Sequence, residues 1–263
     1  MRWEGREQSS NVEDRRGMAM AAGGMVAGGG VGSIVLMLIM IFLGANPQQL
    51  MEQVGQQQEQ VSAARAKMNP ENDADASLLE FVSVVMKDTE DVWSKLFQEQ
   101  LRARYQEPKL VIFKGIVRSA CGEASAAVGP FYCSGDSNVY LDFDFFRELK
   151  KRFNAPGDFA MAYVIAHEVG HHVQNQLGLS AKIQTMQRRA GEVESNQLSV
   201  RLELQADYLA GVWAKHAQET KRILDSGDIG EAMNAANQIG DDKLTQGRVR
   251  KEKFTHGTSQ QRV

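Results

Sequence analysis

The chain has 263 residues, 43% hydrophobic and 24% charged, with a formal net charge of −3. That length suits one good-sized domain or two small ones. The charge offers no basic surface to nucleic acid, and no Walker A loop, RNA-recognition signature or Cys-x-x-Cys pair is present.

Residues 1–17 are polar and charged, and residues 18–44 (MAMAAGGMVAGGGVGSIVLMLIMIFLG) run for 27 positions without a charge. A bilayer crossing needs about 20 apolar residues. The pattern predicts a single retained transmembrane helix over 18–44. A cleaved signal peptide is the competing reading, disfavoured because the run is long and Leu43 stands where a small residue is wanted before a cut after Ala45. Arg15 and Arg16 precede the run and no basic residue follows it closely. The positive-inside bias therefore predicts a cytoplasmic N-terminal segment and an extracytoplasmic remainder, periplasmic or extracellular. Gly24, Gly28 and Gly32 have the small-x-x-x-small spacing of a helix-packing face, open to homo-oligomerisation, although a merely Gly-rich span explains them equally. Residues 45–75 are polar and Gln-rich, with too few large apolar residues for a core, and read as a linker.

The remainder, 76–263, reads as the soluble domain. Apolar positions at helical spacing predict a helix over 77–105, and the β-branched run KLVIFKGIVR predicts a strand over 109–118. A Gly/Pro-punctuated loop is expected between Cys121 and Cys133, followed by a strand at NVYLDF, 138–143. Helices are expected over 142–153, 158–177, 180–190, 192–217 and 229–239, the last capped by Asp228. The fold class is mostly α with a small β-sheet. Two cysteines in an outward-facing domain suggest a Cys121–Cys133 disulfide, with two reduced buried thiols as the alternative.

The stretch AHEVGHHVQ holds the chemistry. On a helix, His167 and His171 leave the same face one turn apart, and Ala160 and Val164 on that face mark it as buried. Burying two imidazoles is costly unless something satisfies them, and Zn²⁺ would. Glu168 is rotated about 100° from His167, beside such a metal, where a general base would stand. Gly170 in mid-helix suggests close approach by another backbone or by substrate, and His172 points off the ligand face. A catalytic zinc needs a third protein ligand. The extended His-x-x-Gly-x-x-His continuation fails because Gln174 and Leu177 stand at its Gly and His positions. In RLELQADYLAGVW, Glu203 and Asp207 are again one turn apart, on a side lined by Ala206, Ala210 and Ala214. Glu203 is read as the third ligand and Asp207 as the carboxylate holding a ligand histidine by its other nitrogen, against the alternative of a surface charge pair.

HEVGHH followed by ELQAD resembles the gluzincin metalloproteases. The whole chain resembles the neutral zinc metallopeptidase family of bacterial membrane proteins, through RWEGREQSSNVEDRRG, GPFYCSGD with NVYLDFDFF, AHEVGHHVQ, LELQADYLAGVW and FTHGTSQQR. The resemblance implies a zincin-like domain, one Zn²⁺ per chain and a protein or peptide substrate. It also implies an added donor to the reaction's oxyanion, for which His256 is the candidate, a capped turn histidine being the alternative. Arg262 is read as serving a substrate carboxylate or as structural, and NVYLDF as an edge strand that pairs with extended substrate. The family continues past the final Gln-Arg with aromatic residues where this chain stops at Val263, so part of the site's C-terminal edge is expected to be missing. Two rival functions remain open: a non-catalytic, metal-stabilised binding or scaffold protein, and a zinc amidase acting on cell-wall amides.

Overall fold

The computed structural model describes residues 1–17, 75–151 and 157–263. The helix and linker expected over 18–44 and 45–75 lie almost wholly outside them. Among the described residues, no helix is long and apolar enough to cross a membrane.

The chain opens with a short strand, β1 (Val12–Asp14). Helix α1 (Ala76–Leu96) follows, and its last turn widens into a π-helical stretch over Phe97–Leu101. The predicted helix over 77–105 ends there because Arg102 turns left-handed, with φ 51°. Next come β2 (Lys109–Phe113), β3 (Ile116–Ser119) and β4 (Gly122–Ser125). The single strand predicted over 109–118 breaks at Gly115, whose φ of +78° is one that L side chains rarely adopt. β3 then leaves the main sheet and pairs antiparallel with β4. The stretch between the cysteines is therefore no plain loop: it holds β4, a 3₁₀ turn over Ala126–Val128, and β5 (Phe131–Cys133). The cysteines are joined, so Cys121 in the β3–β4 turn is tied to the end of β5.

β6 (Asn138–Asp142) completes the main sheet, whose order is β1-β2-β6-β5. β1, β2 and β6 are parallel, and β5 runs antiparallel to β6. NVYLDF thus forms an interior strand, correcting its expected place at an edge; β5 holds that edge. Alternation along the strands supplies both faces with apolar side chains. Leu110, Ile112, Val139 and Leu141 join the main core, while Val111, Phe113 and Tyr140 pack with Val117 and Cys133 beneath the small hairpin.

Helices α2 (Phe143–Lys151), α3 (Asp158–Gln176), α4 (Leu179–Gln187), α5 (Glu192–Lys221) and α6 (Asp228–Gln238) follow, then the single turns α7 (Asp241–Leu244) and α8 (Ser259–Arg262). The helices expected over 158–177, 192–217 and 229–239 are found, with α5 running four residues beyond Ala217; the one expected over 180–190 ends at Gln187, and the last two residues of the one expected over 142–153 lie outside the described residues. Gly227 rather than Asp228 takes the N-cap position of α6; Asp228 is its first helical residue, and its carboxylate accepts the Asp225 amide at 2.8 Å.

The N-terminal segment departs most from expectation. Met1–Arg15 form one compact unit with Ser77–Val263, so residues 1–15 are not a separate segment. β1 pairs with β2 in the register Val12↔Leu110 to Asp14↔Ile112. The reason lies in α1, which buries two acids, Asp88 and Glu90. A buried carboxylate is costly without partners, and residues from the N-terminal segment supply them. Arg6 donates two hydrogen bonds to Asp88, at 2.8 and 2.5 Å. Ser9 Oγ donates to Glu90 at 2.5 Å and Asn11 Nδ2 at 2.9 Å. Trp3 packs edge-on against Phe81 of α1 and donates its indole N–H to Asp158 at 2.8 Å.

Candidate metal centre

The centre forms where α3 crosses α5. Gly170 permits the close approach: a Cβ there would stand 3.0 Å from the carbonyl oxygen of Ala206 and 3.2 Å from its Cα. Of the two uses the sequence suggested for this glycine, the backbone of the neighbouring helix is the one observed. Ala206, Ala210 and Ala214 are buried on α5, and Trp213 stacks against Phe159 of α3.

This crossing brings His167 and His171 of α3 against Glu203 of α5. His167 Nε2 lies 3.2 Å from Glu203 Oε2, and His171 Nε2 lies 3.4 Å from Oε1. One potential ligand atom from each residue falls within 4.8 Å of the others. Bonds of about 2.0–2.1 Å meeting near the tetrahedral angle place zinc donors roughly 3.3 Å apart, so two imidazoles and a carboxylate at these separations suit that ion.

The other nitrogens of the imidazoles are already engaged. His167 Nδ1 lies 2.8 Å from Asp207 Oδ1, and His171 Nδ1 lies 3.0 Å from Gln174 Oε1. Each partner can accept an Nδ1–H, and in the neutral imidazoles that leaves the Nε2 lone pair directed at the shared space. Gln174 is fully buried and is itself fixed, donating to the Leu202 carbonyl at 2.7 Å and to Gln205 at 3.1 Å. Its role was missed in the sequence, where it counted only as a failed glycine position; three residues beyond His171 on one helix, it was spaced to be a neighbour.

Asp207 is held from the far side by Arg262, whose Nε and Nη2 donate to Oδ2 and Oδ1 at 3.0 and 2.9 Å. Tyr163, one turn before His167, donates its hydroxyl to Asp207 Oδ1 at 2.5 Å. Arg262 is buried in α8, a turn closed by a Thr258–Gln261 capping box. Of its two expected uses, the structure shows the structural one.

Electrostatics follow from this packing. Burial by itself pushes the His167 imidazole down, but the carboxylates of Asp207 and Glu203 outweigh it and raise its pKa to about 10. Burial pushes Glu203 up, yet the two imidazoles draw it well below the usual carboxylate range. Asp207, also opposed by burial, is lowered to about 2 by His167 and Arg262.

The remaining candidates sit as follows. Glu168 is buried beside the cluster and lines the same cleft, of about 990 Å³, as His167, His171 and Glu203. His256 also lines this cleft with its side chain half exposed, its Nδ1 3.1 Å from Asp241 Oδ1. The Asp241 carboxylate also accepts the backbone amides of Thr255, His256 and Gly257, which fixes the turn carrying the histidine. His172 is a core residue: Nε2 lies 2.6 Å from the Gln106 carbonyl oxygen and Nδ1 lies 3.1 Å from the Tyr132 hydroxyl. Phe131 and Tyr132 of the edge strand β5 line the cleft.

A family model described as "Putative neutral zinc metallopeptidase" matches residues 1–263. The chain is 45% identical over 272 residues to "Uncharacterized protein YpfJ" of Escherichia coli K12, covering all of this chain and 92% of that protein. It is 44% identical over 171 residues to "Uncharacterized protein Mb2605" of Mycobacterium bovis, covering 60% of this chain and 57% of that one. No solved structure matches.

Proposed function

The chain belongs to the neutral zinc metallopeptidase family, and on that premise we propose that it hydrolyses peptide bonds with one zinc ion per chain, held by His167, His171 and Glu203. The observation that carries the reading is the paired engagement of the imidazoles. Both Nδ1 atoms are occupied by fixed acceptors, and both Nε2 atoms stand within 3.4 Å of one carboxylate. When bound there, zinc supplies Lewis acidity, polarising a scissile carbonyl and acidifying an attacking water toward a pKa of about 7.

The chain's own residues do the rest. Glu168, in the cleft beside the ligands, accepts the proton of the attacking water and passes it to the leaving amine. His256 lines the cleft on a turn fixed by Asp241, and its imidazolium form, with a proton on each ring nitrogen, donates Nε2–H to the oxyanion while Nδ1–H faces Asp241. An extended substrate pairs with β5, an edge strand among the described residues, where main-chain hydrogen bonds give affinity without sequence selectivity. The scaffold alternative requires a closed site with His172 or Asp207 as a fourth ligand. Both His172 nitrogens have partners elsewhere, and the Asp207 carboxylate bonds His167, Tyr163 and Arg262, which favours an open position and a reaction. The Cys121–Cys133 disulfide supports an extracytoplasmic, oxidising location, and the apolar run over 18–44 supports contact with a membrane.

The test is metal content and peptide hydrolysis of the full chain and its Glu168→Gln variant. Zinc is expected at one per chain in both, with turnover reduced about 10²–10⁴-fold in the variant. Equal turnover would remove Glu168 from the mechanism.

A further inference from the structure

The described residues flanking 18–74 meet in the folded protein. Upstream, β1 pairs with β2, and the Arg15 amide donates to the Ile112 carbonyl at 2.7 Å. Downstream, α1 begins at Ala76 and presents the Ser83 carbonyl, Asp88 and Glu90 to Ser9, Arg6 and Asn11. Arg16 Nη1 and Asp75 Oδ2, close to either end of the intervening stretch, lie 3.3 Å apart. Arg15 and Arg16, whose charge marked the N-terminus as cytoplasmic, are both engaged: Arg15 with Glu13 at 2.8 Å and Arg16 with Asp75.

A stretch that leaves and rejoins one folded unit can cross a bilayer only an even number of times. The uncharged run, 17–51, holds 35 residues, of which 18–44 are the apolar part; one crossing takes about 20 and two take about 40 plus a turn. The following residues, 52–75, carry Glu, Lys, Asp and Arg and cannot make the return, because charged side chains are costly in hydrocarbon. Two crossings do not fit and one is forbidden by the pairing of β1 with β2.

We infer that Met1–Arg15 and Ser77–Val263 lie on the same side of the membrane, so that the protein meets lipid from one face and is not a single-pass protein. This rests on the reading of the apolar run as lipid-contacting, and not on the peptidase reading.

The test is labelling of the full chain in spheroplasts with a membrane-impermeant maleimide. One probe is Glu7→Cys, at a side chain 76% exposed; the other is Lys215→Cys, at one 71% exposed. The native cysteines are joined to each other, so the unsubstituted chain is the blank. Both probes are expected to react to the same extent before lysis, or both only after it. Reaction of Lys215→Cys in intact spheroplasts with Glu7→Cys protected until lysis would overturn the inference. A second pair at exposed positions, Gln8→Cys and Glu194→Cys, guards against a misfolded variant and is read the same way. Neither result depends on catalysis, so this inference and the peptidase reading can fail separately.

Discussion

Two helices of this protein each hold a pair of acids, buried on α1 and partly buried on α5, and the pairs do different work. On α5, Glu203 and Asp207 face imidazoles; on α1, Asp88 and Glu90 face a guanidinium, a hydroxyl and an amide from the N-terminal segment. Asp88 also receives Lys221 at 2.9 Å. The distinction lies in what the partners leave over. Arg6, Lys221, Ser9 and Asn11 come as donors, so the α1 pair is satisfied by protein alone and fastens a strand. When neutral, His167 and His171 each have Nδ1 occupied and an Nε2 lone pair turned on Glu203, three acceptors that a cation completes; without the cation a proton on His167 fills that place. A buried acid pair on a helix therefore identifies a metal centre only through the chemistry opposite it.

The strongest way to break this comparison is to remove the segment that precedes β1. Deleting residues 2–11 leaves Glu90 without Ser9 and Asn11 and Asp88 without Arg6. Breaking a buried pair by removing one partner costs about 3–5 kcal/mol, and urea unfolding should show a loss of that order. Adding Glu90→Gln to the deletion should recover part of it. A loss below about 1 kcal/mol would mean that the α1 acids are not held as described.

A smaller effect tests the other pair. Asp207→Ala and Gln174→Ala each remove the acceptor that fixes one ligand imidazole, and each should weaken zinc binding about 10–100-fold, measured by competition with a chromophoric chelator. The matching change at the α1 site, Ser9→Ala, should leave zinc affinity unchanged.

The smallest effect is a divergence with pH. In the metal-free protein the raised His167 contributes stability that is complete below its unfolded value near 6.5; it is lost as pH rises through about 10. Glu203 and Asp207, both depressed, contribute stability present above pH of about 4 and lost as pH falls. Zinc requires a neutral His167, so binding releases its proton and strengthens as pH rises. Between pH 6.5 and 9, melting temperatures should fall for the metal-free protein, while the increment due to zinc should grow. Parallel curves with and without zinc would contradict the assignment of that proton to His167.

Much of the candidate metal centre was legible because local periodicity wrote it. His167, His171, Glu203 and Asp207 each fall one turn apart on strongly helical stretches, and the alanines of α5 announced a close crossing. Long-range pairing escaped. β1 is three residues long and finds its partner in a distant strand, so no local pattern marks it. β5 is equally short, sits among Gly, Pro and Ser, and was read as loop, which is why the sheet's edge was assigned to β6. Gln174 and Tyr163 stood at helical spacing from the ligands and could have been found by asking what each imidazole's second nitrogen meets. Arg262 could not, because its approach to Asp207 depends on how the last turn docks.

X-ray absorption at the zinc edge of the full chain tests the central claim most directly. The account predicts two imidazole nitrogens at about 2.0–2.1 Å, carboxylate oxygen at about 2.0–2.2 Å, no sulfur at about 2.3 Å, and loss of the carboxylate contribution in Glu203→Gln. A sulfur shell, or a spectrum unchanged by Glu203→Gln, would contradict it.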